Sequence, residues 1–239
     1  VDQDESVPHQ YAAIAARSEQ VDRVVGPYQE QVEFPSLLRA LGPVADASVL
    51  DLGCGWGSFS RLLRRHGASR VLGVDSCAEM IELALRRERD EPTGVRYRVH
   101  DIATMPVLGA FDIVIAANVL HYARHRDALA RMGERAFANL APGGRLFALV
   151  GNPDALPETR QLNGFVLHRP VRPPDGFPFT ISVPTAPPSR LAVHYWSRRA
   201  YEDVLNGCGF ADLTWEPMVG LPGDGPDQPV NLLMSARRP

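Results

Sequence analysis

Residues Val49 to Gly57 read VLDLGCGWG, an apolar run carrying one acid, Asp51, followed by glycines at alternate positions, Gly53, Gly55 and Gly57. Alternate glycines between a strand and a helix let the backbone turn tightly and approach a ligand without Cβ interference, while free N–H groups at the helix start face it. Nicotinamide-binding Rossmann folds place GxGxxG here, with an acid about twenty residues on for the ribose hydroxyls. Asp75, ending RVLGVD, suits that ribose role for any nucleoside ligand. Asp51 separates the readings, because a negative charge two residues before the first glycine gains nothing from a pyrophosphate and favours a cationic ligand. Asp101 in VHDIATM follows the third apolar run, where a carboxylate can accept a hydrogen bond from an exocyclic amine such as that of adenine.

Outward from this stretch, apolar runs alternate with helical patterns as far as Val150: SFSRLLRRHG, RVLGVD, AEMIELALRRE, VRYRVH, FDIVIAAN, RDALARMGERAFANL and RLFALV. That alternation implies βαβ units and a parallel sheet with helices on both faces. Leu129, Met132, Ala136 and Leu140 recur at helical spacing and read as a core stripe. Ahead of this block, Tyr11 to Leu41 has mixed helical character, clearest in PSLLRAL. Behind it, residues 151–190 hold nine of the 21 prolines around short alternating segments such as FVLHR, FTISV and RLAVHYW. Proline at that density forbids long helices, so the segment reads as a small antiparallel cap. WSRRAYEDVLNGCGF reads as a last helix ending at Gly207 or Gly209, and LTWEP and VNLLMSA as closing strands. That ending suits a sheet whose last strand is inserted antiparallel. The expected organisation is one domain, with an N-terminal helical lid over 1–41, a core over 42–150 and 191–239, and the cap over 151–190.

A length of 239 residues accommodates one α/β domain with an elaboration. The 45% hydrophobic and 22% charged content and mean hydropathy of -0.15 are those of an ordinary soluble protein, and no uncharged apolar run reaches the length of a bilayer span. The opening VDQDESVPHQ is acidic where a signal peptide is basic and then apolar. Cys54, Cys77 and Cys208 are scattered, without metal-ligand spacing, which argues for a reducing cytoplasm and against a disulfide framework or a bound metal. A net charge of -3 and a pI near 6.2 offer no footprint for nucleic acid. The expected partner is a small molecule, for a protein that is a monomer or homodimer.

Taken together, VLDLGCGWG, VLGVDSCAEM, VHDIATMP, FDIVIAANVLHY and LAPGGRLFALV resemble the class I S-adenosylmethionine-dependent methyltransferases, over about Val49 to Val150 and the terminal strands. The resemblance implies a Rossmann-like, doubly wound sheet of seven strands and S-adenosylmethionine as cofactor, leaving S-adenosylhomocysteine as product. It places Gly53, Cys54 and Gly55 against the amino acid part of the cofactor, with Asp51 supporting that loop and Tyr11 near it. Asp75, with Ser76 beside it, would bind the ribose diol. Met80 would lie against adenine, Asp101 and the Ile102 backbone would read its edge, and Ala117 and Asn118 would meet the methionine amino group. Against these roles stand plainer ones: helix capping for the acids, and core packing for Met80 within EMIELAL.

Methyl transfer is an in-line displacement from a positively charged sulfur, so the protein mainly aligns an acceptor lone pair and excludes water. The segments expected to wall the acceptor hold Tyr11 and Tyr28, His121 and Tyr122, and Phe165, Phe177, Tyr195 and Trp196, each of which could equally be core. Aromatic walls under a proline-rich cap suit a flat, small, partly apolar acceptor. HYWSRRAYEDVLNGCGF and YAAIAARS are similar to the bacterial small-molecule branch of the family, the toxoflavin-type and arylalkylamine N-methyltransferases of natural-product pathways. Nitrogen is the expected acceptor atom and a phenol or hydroxyl the alternative, with His121 as the candidate base in the second case. An NAD-dependent oxidoreductase and a non-catalytic cofactor-binding subunit remain open as readings of another class.

Overall fold

The computed structural model describes residues 6–155, 164–216, 218–219 and 231–239. The first five residues of the acidic start and residues 156–163 of the expected cap lie outside them. Three helices lead: α1 (Val7–Ala15), α2 (Ser18–Tyr28) and α3 (Phe34–Leu41), with a π-helical turn, Gln29–Glu33, joining the last two. Then come β1 (Ser48–Leu52), α4 (Ser58–Arg65), β2 (Arg70–Asp75), α5 (Ala78–Asp90), β3 (Arg96–Val99), β4 (Phe111–Ala117), α6 (Arg126–Ala138) and β5 (Leu140–Gly151). Strands β6 (Val166–His168), β7 (Pro178–Val183) and β8 (Ser189–His194) precede α7 (Arg198–Gly207), β9 (Ala211–Glu216) and β10 (Asn231–Arg237).

Seven strands form one sheet in the order β3-β2-β1-β4-β5-β10-β9, with β10 antiparallel to both neighbours. The sequence places its glycine turn at the switch point, since β1 pairs in parallel with β2 on one side and β4 on the other. Val49, Leu50 and Leu52 of this central strand are fully buried, as a strand covered on both faces requires. Each leucine so buried contributes about 1.5–3 kcal/mol. Helices α6 and α7 cover one face, where Leu129, Met132 and Ala136 join Leu140 in the core as their spacing predicts. Helices α3 and α4 cover the other through Leu37, Leu41, Phe59 and Leu63.

The proline-rich stretch forms the antiparallel sheet β6-β7-β8, and its third strand runs to His194, beyond the expected boundary at residue 190. Lid and cap are tied together by polar contacts. The Arg17 guanidinium donates to the Pro187 carbonyl at 2.7 Å, and the Gln10 side-chain oxygen accepts the Ala192 N–H at 2.8 Å. Among the described residues no helix is long and apolar enough to cross a membrane, and no group of three His, Cys, Asp or Glu side chains could hold a metal ion.

Candidate active site

At the end of β1 the chain enters the left-handed region at Gly53 (φ 69°), Gly55 (φ 53°) and Gly57 (φ 85°), where a side chain is strained. The N–H groups of Gly53 and Cys54 both donate to the Val74 carbonyl, at 2.8 and 3.0 Å, which fixes the turn to β2. A Cβ on Gly55 would meet nothing within 4 Å, so the turn opens onto free space. That space is a cavity of about 530 Å³. Asp75, at the C-terminal end of β2, closes the turn from the side. Its Oδ2 accepts the Gly55 N–H and its Oδ1 the Cys77 N–H, each at 2.9 Å. Burial raises its pKa, and these amide hydrogen bonds oppose the rise.

Asp51 is not a wall of the cavity. It lies behind the turn, 1% exposed, where its Oδ2 accepts the Ser60 hydroxyl of α4 at 2.5 Å. Its Oδ1 has no hydrogen-bond partner among the described residues, and burial pushes its pKa up to about 7. Any part it plays in binding is therefore through the shape and charge of the turn in front of it. The other expected cofactor residues do face the cavity: Gly53, Cys54 and Gly55, then Asp75, Ser76 and Met80, then Asp101 and Ile102, then Ala117 and Asn118. Met80 also packs with Ile14, Val21 and Leu83, so its core role and its wall role coexist. Asp101 is exposed, and its Oδ1 accepts the Ala103 N–H at 2.7 Å, holding its own loop. Asn118, at φ 56°, has its amide engaged on both sides. Its Nδ2 donates to Glu33 Oε1 at 2.8 Å, and its Oδ1 accepts from Asn231 Nδ2.

On the opposite side, Tyr11 of α1 reaches Tyr122, their hydroxyls 2.8 Å apart and hydrogen-bonded, which latches the lid to the turn after β4. Burial holds both phenols in the neutral form, Tyr11 at a pKa of about 12. His121 faces the cavity as a neutral imidazole: burial, and secondarily the nearby His194, lower its pKa to about 4. Tyr28, Phe165, Tyr195 and Trp196 also line the space. Trp196 belongs to the main core as well, and its indole N–H donates to the Ala123 carbonyl at 3.2 Å.

Phe177 does not face the cavity; Phe179 does. Phe177 lies in the turn before β7, its N–H bonded to the Pro174 carbonyl at 3.1 Å, so the alternation that aims Phe179, Ile181 and Val183 inward begins beyond it. Sequence reasoning also passed over Glu33, Trp56, Arg169 and His194, all of which face the cavity. Arg169 donates to the Ala155 carbonyl at 2.8 Å and lies over the rings of Tyr195 and Phe179, at 5.1 and 5.8 Å from their centroids. It thereby joins the cap to the end of β5.

The buried acids make stability depend on pH in a definable direction. Burial pushes Glu33, like Asp51, up to a pKa of about 7. An acid that keeps its proton longer when folded confers stability that is present at low pH and is lost as pH rises through the folded pKa. His121, with its lowered pKa, has the opposite slope, but only below the ordinary histidine value of about 6.5. The ligand-free protein therefore loses thermal stability between about pH 6.5 and about pH 8. Asp51→Asn and Glu33→Gln together flatten that slope. Calorimetric Tm values that stay level or rise across the window in the wild type contradict the assignment.

Residues 49–144 match the family model described as a methyltransferase domain. The chain is 29% identical to N-demethylindolmycin N-methyltransferase of Streptomyces griseus over 214 residues, covering 86% of this chain and 89% of that one. It is 31% identical to the mitochondrial ubiquinone biosynthesis O-methyltransferase of Mus musculus over 119 residues, a match spanning 48% of this chain but only 31% of that protein. Its fold overlays the crystal structure of an S-adenosylmethionine-dependent methyltransferase from Mesorhizobium loti with a TM-score of 0.66 at 26% identity, covering 86% of this chain and 97% of that one.

Proposed function

We propose that this chain, similar to methyltransferases over residues 49–144 and to S-adenosylmethionine-dependent methyltransferases in fold, methylates a nitrogen of a small aromatic or amine natural-product intermediate. The observation that carries this reading is one cavity walled by the glycine turn on one side and by lid and cap aromatics on the other. The residues present fit the cofactor. An open turn at Gly55 can take the amino acid part, the Asp75 carboxylate can take a ribose diol, and Met80, Asp101 and Ile102 lie where a purine would be held. When bound, S-adenosylmethionine would supply a methyl group on a positively charged sulfur, open to displacement by an acceptor lone pair. The chain's own part is to align the acceptor and keep water out, which lid and cap do jointly. The methyltransferase family match sets aside the dinucleotide reading of the turn.

Two considerations favour nitrogen over oxygen. The relative matched over most of both chains is named for N-methylation. Two imidazoles after β4 face the cavity: His125 caps α6, its Nδ1 accepting the Ala128 N–H, and His121 has a pKa of about 4, too weak a base to deprotonate a phenol efficiently, whereas a neutral amine already carries its lone pair. The O-methyltransferase relative supports the second reading, a hydroxyl acceptor, over the shared core. Turnover with paired aromatic amines and phenols distinguishes them, and it also tests the non-catalytic alternative. On an amine, His121→Ala lowers kcat less than about tenfold and leaves the shape of the pH profile as in the wild type. A loss of about a hundredfold in His121→Ala, together with disappearance of a pH limb present in the wild type, assigns His121 as a base and contradicts this reading.

A further inference from the structure

Glu33 is absent from the sequence argument, and the structure singles it out. Pro27 and Pro35 bracket the helical run from α2 into α3, and between them five residues form a π-helical turn, closed by the Phe34 N–H donating to the Gln29 carbonyl. One extra residue in a turn rotates the following side chains to a different face, and such turns are frequent at functional sites. The turn delivers Glu33 into the cavity, 3% exposed. There its Oε1 is held by Asn118 Nδ2 at 2.8 Å, and Asn118 is held in turn by Asn231 of β10. Oε2 is buried and makes no hydrogen bond to the described residues, although the Gln29 amide lies near enough to favour the charged carboxylate. A buried carboxylate oxygen left unpaired costs free energy that a donor from a ligand would recover. Two strand ends and a lid turn converge to fix one oxygen and leave the other free.

Resting on the nitrogen reading above, we propose that Glu33 is the acceptor-binding carboxylate: its free Oε2 receives an N–H of an amine or ammonium acceptor and takes the proton that must leave before transfer. The proton balance is simple. The ammonium gives one proton to the Glu33 carboxylate, leaving a neutral amine with its lone pair and a neutral carboxyl, which later returns that proton to solvent. The groups facing Glu33 are neutral, Gln29 on its own turn and Asn118 across from it. Burial, opposed by those two amides, sets its pKa near 7, without a contribution from a charged side chain. His121 and His194 both have lowered pKa values, so neither takes up the proton in its place near neutrality.

The test uses the full chain saturated with S-adenosylhomocysteine and titrates in tryptamine and tryptophol, which differ only in amine and hydroxyl. At about pH 8 the wild type binds the amine at least about tenfold more tightly than the alcohol, and Glu33→Gln brings the ratio within about threefold. In the wild type alone, amine affinity rises as pH rises through about 7, and alcohol affinity stays level. Glu33→Gln leaves the affinity for S-adenosylhomocysteine within about threefold of wild type. Absence of saturable amine binding, equal affinities for the two probes, or a preference retained in Glu33→Gln overturns the proposal. So does a Glu33→Gln loss of about tenfold or more for S-adenosylhomocysteine with none for methylthioadenosine, since the carboxylate then serves the cofactor's own amino group. These outcomes leave the nitrogen reading standing, whereas turnover that places the methyl on oxygen removes that reading itself.

Discussion

Asp75→Ala lowers affinity for S-adenosylhomocysteine by about 1 to 3 kcal/mol, toward the upper end of what a hydrogen bond from a buried ligand group to a charged acceptor contributes. The size follows from two roles in one side chain. The carboxylate is the acid at the end of β2 available to a ribose diol, and both of its oxygens already hold the turn, through Gly55 and Cys77. Removing it deletes the ligand's acceptor and releases the loop in front of it. Asp101→Ala falls at the lower end, because Asp101 is exposed and solvent competes for its hydrogen bonds. Isothermal titration of both variants, with circular dichroism to verify folding, measures the difference. Unchanged affinity in both, with the fold intact, would sink the assignment of this wall to the cofactor.

Gly57→Ala destabilises the protein by about 2–4 kcal/mol, the sum of a left-handed backbone penalty of about 1 kcal/mol and an overpacking cost of about 1–3 kcal/mol. Gly57 sits at φ 85° immediately before α4, and a Cβ there would lie 2.2 Å from the Tyr97 hydroxyl oxygen and 2.8 Å from the ring carbon bearing it. Tyr97 is buried, so its ring cannot swing out without opening the core beneath the turn, and its hydroxyl has no hydrogen-bond partner among the described residues. Tyr97→Phe removes the nearest clashing atom and rescues part of the loss. It costs little by itself, because the hydroxyl it deletes makes no hydrogen bond to the described residues. Urea unfolding of the two single variants and the double variant gives the coupling. Additive effects contradict the contact, since residues that touch do not add.

The parts of this molecule legible in its sequence are those where local chemistry and global topology agree. VLDLGCGWG could be read because tight turns at a switch point require glycine, and the alternating runs after it because parallel strands buried on both faces must be apolar. The cap followed from prolines that exclude helix and from alternation that favours strand. Side-chain direction was less legible. Asp51 was legible as an acid supporting the glycine turn, but not the partner it takes there: strand alternation aims it at Ser60 behind the turn. Phe177 and Phe179 both stand in an alternating segment, and only the start of β7 decides which of them faces the cavity. Glu33 was hidden for a different reason. An acid in a lid helix ordinarily reads as a solvated face, and the register shift that buries it comes from a π turn between two prolines that helical periodicity does not register.

On the proposed function, a methyl group reaches nitrogen inside the cavity between the glycine turn and the cap. Supplying S-adenosylmethionine carrying a carbon-13 methyl together with a panel of small aromatic amines and matched phenols, then locating the label by carbon and nitrogen NMR, tests this. Label is expected on nitrogen, in acceptors small and flat enough to enter the cavity, with the phenols returned unchanged. Label on the oxygen of the phenols, with every amine untouched, contradicts it.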